Sequence, residues 1–392
     1  MNTIQLTKGN EKQFYQGKLA IEKGDLSEDL FLRDGEILRV TDHFGKYIGT
    51  AMMSFEQKAE GWILTKDENE TVDQYFIEKK ITEAVERRTP LFNEEGTNVF
   101  RLFNEIGDGI GGLSIEYFNG HLLVTFYSTG IYKIREQIFK ILIKTMNPAS
   151  ITEQKRFSVD SRMVIENNHI TGNVSFPLAV QESGVSYNVD LSSGPMTGLF
   201  LDQRETRKML LKMNGGSPQR FLNLFSYSGS FSVAAAMNGM STTSVDLAGR
   251  TKELVTDNFN INNLPMDAHD IHIMDTFDYL KYAKRHNHRF DVILIDPPSF
   301  SRNKKKVFKV ARDYPKLIEG ALEVLSSQGT LILSQNLETY TLNQFKKDID
   351  QTLKKNNQKY ELVDVKGLPK DFPTSKGYKN GKYLNIVTIK LV

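Results

Sequence analysis

The sequence predicts an α/β protein whose C-terminal half is a doubly wound, mostly parallel sheet with an antiparallel last strand. A small N-terminal β-barrel and a middle α+β domain precede it. Three observations carry this reading. From about residue 190, apolar strands alternate with helical patterns, as parallel crossovers require. Residues 1–70 carry short alternating strands instead. The last two strands, 360–366 and 383–392, are joined by a loop of about 16 residues with no helical pattern, so the final strand runs antiparallel.

Taken in order, "EILRVTDHFGKYIGTAMM" (36–53) alternates, turns at His43-Phe44-Gly45, and alternates again. "GWILT" (61–65) is a further strand, and the polar "KDENETVDQ" (66–74) suits a linker. Residues 75–90 read as a helix leading to Pro90. "VFRLFNEIGDGIGGLSIEYFNGHLLVTFYS" (99–128) is a strand, a glycine-rich turn and a hairpin closed near Asn119-Gly120. "YKIREQIFKILIKTM" (132–146) has apolar residues at helical spacing. In the C-terminal half the strands are 220–225, 242–246, 269–273, 290–296 and 329–335, with helices between them, including one over 309–326. The expected domains are 1–70, 71–185 and 186–392.

Bulk composition narrows the chemistry. The chain of 392 residues has no Cys, which removes disulfides, thiolate metal sites and cysteine nucleophiles. Its histidines show no metal-ligand spacing, and no metal is expected. The N-terminus lacks an apolar signal core and no run reaches membrane-spanning length, so a cytoplasmic protein without a membrane partner is expected. A net charge of +2 means that a polyanion must be met by local clusters.

Open α/β sheets bind ligands beyond the carboxyl ends of their strands. There the sequence places "SYSGS" (226–230), Asp246, Asp275 and Asp296. Gly229 allows a tight turn near a ligand. The loop lacks G-x-G-x-x-G, which disfavours a nicotinamide dehydrogenase. Asp246 suits a ribose diol and Asp275 an adenine amino group, and a cationic nucleoside without phosphate, S-adenosylmethionine, fits three carboxylates. Each Asp taken alone could equally be a helix cap or a turn former. Asp202 can cap a helix bearing Met209, Leu210 and Met213. Arg204 and Arg207 fall in that helix's first turns, where the dipole disfavours cations. They point to an anionic partner, a cofactor carboxylate or an RNA phosphate; for Arg207 a surface salt bridge is equally open.

"GLFLDQR" (198–204), "FLNLFSYSGSFSVAAA" (221–236), "SVDLAGR" (244–250) and "DPPSF" (296–300) resemble the bacterial class I S-adenosylmethionine-dependent large-subunit rRNA methyltransferases with an N-terminal PUA domain. "ILRVTDHFGKYIGTAMM" resembles the PUA barrel and "GDGIGGLSIEYF" (107–118) the middle domain. The resemblance implies a Rossmann-like methyltransferase sheet, an RNA methyltransferase activity and S-adenosylmethionine as cofactor. It also implies cofactor contacts at Phe200, Asp202, Gln203, Arg204, Asn223, Phe225, Ser226, Tyr227, Ser228, Gly229, Asp246, Asp275 and Asp296. Family members that methylate cytosine C5 carry a Cys where this chain has Ser334-Gln335-Asn336. C5 is not nucleophilic until a thiolate adds to C6, so that route is closed here unless the chain borrows a residue, and 5-methylcytosine formation stays open as the family's other activity. "SQN" resembles the guanine-N7 domain of fused rRNA methyltransferases more closely.

Asp296, Pro297, Pro298 and Phe300 are the catalytic candidates. The prolines fix φ and leave carbonyls as rigid acceptors, and Phe300 offers a stacking face for an extruded base. Arg302, Lys304, Lys305 and Lys306 are read as phosphate contacts rather than a merely solvated loop. Lys376, Lys379 and Lys382 lie in a second basic loop (373–382), expected on the same edge. Guanine N7 needs only alignment, whereas guanine N2 or adenine N6 needs its amino hydrogens held by Asp296 and the Pro297 carbonyl. The expected partner is large-subunit rRNA. A homodimer stays open, as does a non-catalytic RNA-binding protein on the same scaffold.

Overall fold

The computed structural model describes residues 1–392 except 28–31, 56–58, 160–161, 193, 214–218 and 304–305. The chain divides into two compact units. The first comprises Met1–Val180, Val189–Thr197 and Lys370–Gly381, and the second Gln181–Asn188, Gly198–Pro369 and Lys382–Val392. Among the described residues no helix is long and apolar enough to cross a membrane.

The first unit holds two sheets. The N-terminal one orders its strands Asn2–Gln5, Ile37–Thr41, Tyr47–Met53, Gly61–Thr65 and Ala20–Ile21. Its hairpin turns where the sequence places it: Asp42 accepts from the Phe44 and Lys46 amides at 2.9 and 2.8 Å, and Gly45 supplies a φ of +83°. Ile4, Phe14, Leu38, Val40 and Ile63 fill its core. The second sheet runs Arg162–Gly172, Ser150–Val159, His121–Phe126, Leu113–Phe118, Val99–Asn104. Asn119 and Gly120, both at positive φ, close the expected hairpin. Helices Gln74–Arg87 and Arg135–Met146 bury Phe76, Ile81, Ile138 and Leu142 in its core. Met52 of the N-terminal sheet belongs to that same core, and Ile37 and Leu64 pack against it. This shared apolar surface joins what the sequence divides at residue 70 into one unit.

Lys370–Gly381 also belongs to this unit, which corrects its assignment to the C-terminal domain. The Asp371 carbonyl accepts from Arg88 Nη2 at 2.7 Å, and its carboxylate accepts from the Arg101 amide at 2.9 Å. The Pro373 carbonyl accepts from Asn104 Nδ2 at 3.0 Å. Lys376 is exposed on this segment; Lys379 lies in its short 3₁₀ turn, and Lys382 begins the next stretch of the second unit.

The second unit carries a seven-stranded sheet: His269–Ile273, Ser241–Asp246, Arg220–Leu224, Phe290–Ile295, Leu325–Gln335, Asn385–Leu391, Tyr360–Lys366. The first five are mutually parallel, and Asn385–Leu391 runs antiparallel to both neighbours, as expected from its short connection. One face packs Leu222, Ile293, Tyr314, Leu317 and Phe345, and the other Phe221, Leu294, Ala234 and Ile386. Burial on both faces is why these strands read as continuous apolar runs.

The residues after Pro298 differ from the expected loop. Phe300–Asn303 pairs antiparallel with Lys306–Lys309, and helix Val310–Leu322 follows. Phe308 anchors this hairpin, with ring centroids 6.0 Å from Phe225 and 6.4 Å from Phe277.

In the first unit, Arg88 and Asp108 are both about 1% exposed and form two hydrogen bonds of 2.7 Å, joined by Arg87. Replacing one partner leaves an uncompensated buried charge. Asp108→Ala is therefore expected to cost about 3–5 kcal/mol in the unfolding of this unit, read as a drop in denaturant midpoint.

Candidate active site at the strand ends

Strands Ser241–Asp246 and Phe290–Ile295 flank Arg220–Leu224 on either side. Asp246 and Asp296 therefore stand on either side of the loop that follows Leu224, on one rim. That loop is bent unusually tightly. Phe225, Tyr227 and Gly229 all have positive φ, +63°, +49° and +73°. For bulky Phe and Tyr this conformation is costly, and such strain gathers at functional sites. Gly229 is also sterically fixed, because a Cβ there would come within 2.8 Å of Val255 Cγ2. The Gly229 amide closes onto the Ser226 carbonyl at 2.8 Å.

Asp246 holds this loop. Its Oδ2 accepts from the Tyr227 amide and its Oδ1 from the Ala248 amide, both at 2.9 Å. Asn258, buried, donates to the Ser228 carbonyl at 2.9 Å. Asn223 donates Nδ2 to Ser232 Oγ at 2.9 Å, while its Oδ1 is buried without a partner, as is Ser226 Oγ. Phe200 stacks obliquely on Tyr227 with centroids 5.3 Å apart, and Arg250 lies 5.7 Å from the same ring.

On the other side of the loop, Asp296 is half-buried. Gln203 donates Nε2 to Asp296 Oδ2 at 3.1 Å and to Ser334 Oγ at 2.8 Å. Burial pushes the Asp296 carboxyl up to about 6, with the Asp202 charge adding and Ser334, Arg207 and Gln203 opposing. Asp202 itself accepts from the Tyr383 hydroxyl at 2.8 Å. The Tyr314 hydroxyl lies 2.9 Å from the Ile295 carbonyl and 2.8 Å from the Ser334 carbonyl, tying the two strand ends together. Pro297 is buried and Pro298 exposed, and Phe300 is 57% exposed. Ser299 Oγ donates to Asn336 Oδ1 at 2.6 Å.

Several expectations change. Arg204 and Arg207 do not face an anionic ligand: both are buried against Glu182, Arg204 at 3.2 Å and Arg207 at 2.6 and 2.9 Å. Arg204 is thus removed from the cofactor contacts. Burial alone would raise the Glu182 carboxyl, but Arg207 and then Arg204 hold it below the usual range. Asp275 accepts from the Phe277 and Asp278 amides at 3.1 and 3.3 Å, so it acts as the N-cap of helix Thr276–Arg285. Arg302 is exposed on the Phe300 hairpin and Lys306 opens its second strand, whereas Lys304 and Lys305 lie outside the described residues. Glu182, Asn258 and Tyr314 were missed. Each acts through a partner at least 19 residues away, and local pattern carries no such signal.

A family model described as S-adenosylmethionine-dependent methyltransferase matches residues 101–375, and a PUA-like domain model matches residues 4–66. A Bacillus subtilis protein, YwbD, provisionally named a ribosomal RNA large subunit methyltransferase, is 36% identical over 100% of both chains. Ribosomal RNA large subunit methyltransferase I of Shewanella frigidimarina is 29% identical over 89% of both. The crystal structure of SMU.776 complexed with SAH superposes with a TM-score of 0.91 at 35% identity, covering 100% of both chains. The chain belongs to the S-adenosylmethionine-dependent methyltransferase family and carries a PUA-like domain at its N-terminus.

Proposed function

We propose that this chain methylates a guanine nitrogen, N7 or N2, of large-subunit ribosomal RNA by direct in-line transfer, without a cysteine nucleophile. The RNA class is supported by the names of relatives that match the chain end to end. The observation that carries the chemistry is the state of residues 334–336, where the cytosine-C5 members place their Cys. Gln335 is tied at both ends: Nε2 donates to the Tyr340 carbonyl and Oε1 accepts from the Leu337 amide, each at 2.8 Å. Ser334 is fully buried against Gln203. Neither side chain is free to attack a base, and the sequence has no Cys to borrow.

The residues present fit the cofactor. Asn223 Oδ1 and Ser226 Oγ are buried polar atoms without a protein partner beside the strained loop, and Asp246 has carboxylate lone pairs left for a ribose diol. Phe200 and Tyr227 add apolar surface there. When bound, S-adenosylmethionine supplies an electrophilic methyl group. Asp296 and the Pro297 carbonyl orient the base, and as an ionised acceptor Asp296 can take amino hydrogens of guanine N2. Phe300 stacks on the extruded base, and Arg302 meets phosphate.

Incubation with tritiated cofactor and rRNA from a strain lacking the gene is expected to label the RNA, with the mark recovered as a methylguanosine by nucleoside mass spectrometry. Recovery as 5-methylcytidine would refute the guanine assignment. With Asp296 pushed up to about 6, the transfer rate is expected to rise with pH and flatten above that value. Asp296→Asn should lower the single-turnover rate on the order of 10²-fold.

The same variant makes an opposite forecast for stability. A carboxyl whose folded pKa is raised binds its proton more tightly in the folded state. Its ionisation therefore costs stability as pH climbs from the ordinary carboxylate range to about 6. The permanently neutral Asn escapes that cost. Thermal melts at pH 8 should show Asp296→Asn more stable than the native chain, on the order of 2 kcal/mol.

A further inference from the structure

The amide of Gln203 is 3% exposed, and its orientation is determined by its neighbours. Its Oε1 accepts from the Thr206 hydroxyl at 2.9 Å, and its Nε2 reaches Asp296 and Ser334 together. Rotating the amide would set its carbonyl against the Asp296 carboxylate, so the donor must face Asp296. The Ser334 hydroxyl, accepting from Gln203, keeps its own proton, and its presence beside Asp296 eases ionisation of that carboxyl. One buried amide thus holds the Asp296 carboxyl and the Ser334 hydroxyl together. The other groups facing it are the Asp202 carboxylate, which opposes ionisation, and Arg207, which favours it; the Tyr314 hydroxyl is turned away to the Ile295 and Ser334 carbonyls.

We propose that Gln203 is a positioning residue for methyl transfer: its amide, backed by Ser334, fixes the Asp296 carboxyl so that its remaining lone pairs face the substrate. This replaces the cofactor contact that the sequence assigns to Gln203. It rests on the reading of Asp296 as the group that orients the base. It also gives Ser334, at the position of the cysteine loop, a role that involves no covalent chemistry. A donor lost from a charge-bearing pair is worth about tenfold or more in rate when the pair acts in the transition state.

The test uses the full chain and its Gln203→Glu, Gln203→Ala and Ser334→Ala variants. Two quantities are read: single-turnover methyl transfer to rRNA from a strain lacking the gene, across pH, and S-adenosylhomocysteine affinity by calorimetry. Gln203→Glu sets a second carboxylate against Asp296. Its rate should fall about tenfold or more at neutral pH and stay below the native plateau as pH rises, because the introduced carboxylate donates no hydrogen bond once ionised, with the acidic limb moved up by about one unit. Gln203→Ala and Ser334→Ala should lose about tenfold, and all three should bind S-adenosylhomocysteine within about threefold of the native chain. A limb left in place in every variant, or affinity falling in step with rate, would overturn the assignment; the second result would make Gln203 a cofactor ligand. If Gln203→Glu fails to fold, Ser334→Ala carries the same shift in the limb. Native transfer by Asp296→Asn would sink the reading of Asp296 itself. An inactive Asp296→Asn beside an unshifted Gln203→Glu would sink only the role of Gln203.

Discussion

The second unit is organised around a carboxyl that burial disfavours. Asp296 ends a strand that is apolar on both faces, and the two prolines after it give the turn no amide donors. A carboxyl in that place must find a donor elsewhere, and it finds one in Gln203 on the segment 198–204. That donor falls short of restoring an ordinary carboxylate, and its acidity stays weakened. A carboxyl held under such a cost is coherent with a group that must carry charge, or a proton, next to a reacting base.

Gln203 can reach Asp296 only because the helix start that carries it is pinned from behind. Arg204 and Arg207 occupy the first turns of helix Arg204–Lys212, where the helix dipole opposes cations. Glu182, buried between them, cancels that repulsion and fastens the helix to the Leu178–Glu182 strand. Buried ion pairs add little net stability on average, because desolvation consumes the Coulomb gain. What this one fixes is place: it sets the direction of Gln203, and Tyr383 fixes Asp202 in the same segment.

Much of this was legible in the sequence, for definite reasons. The strands were visible because burial on both faces leaves unbroken apolar runs, each ended by a polar residue. The antiparallel last strand followed from chain length alone, and Asn119-Gly120 announced its own turn. What escaped was long-range or conformational. Nothing local links Glu182 to Arg207, or Asp371 to Arg88. Charge hid the strand Phe300–Asn303, whose partner is recognisable only once Phe308 packs on Phe225 and Phe277. Left-handed Phe225 and Tyr227 defeat prediction by residue type, since both types avoid that region.

The large cleft of the second unit does not coincide with the strand-end rim. A cleft of about 970 Å³ lies between helix Arg204–Lys212 and the strands, lined by Lys212, Asp291, Thr330 and Lys390 among others. None of the strand-end groups described above borders it. Its Asp291 is already satisfied by the Arg220 amide and the Ser326 hydroxyl at 2.9 and 2.8 Å, and its Lys366 by Asp364 at 2.7 Å. The rim differs in kind: strained backbone at Phe225 and Tyr227, unsatisfied Asn223 and Ser226 oxygens, and a carboxyl displaced from its usual acidity occur within one stretch of strand ends. Each of these costs free energy in the isolated chain, and a bound ligand can relieve each of them. A site is recognised by where the fold tolerates such costs together, and among the described residues the carboxyl ends of the parallel strands bring all three to one place.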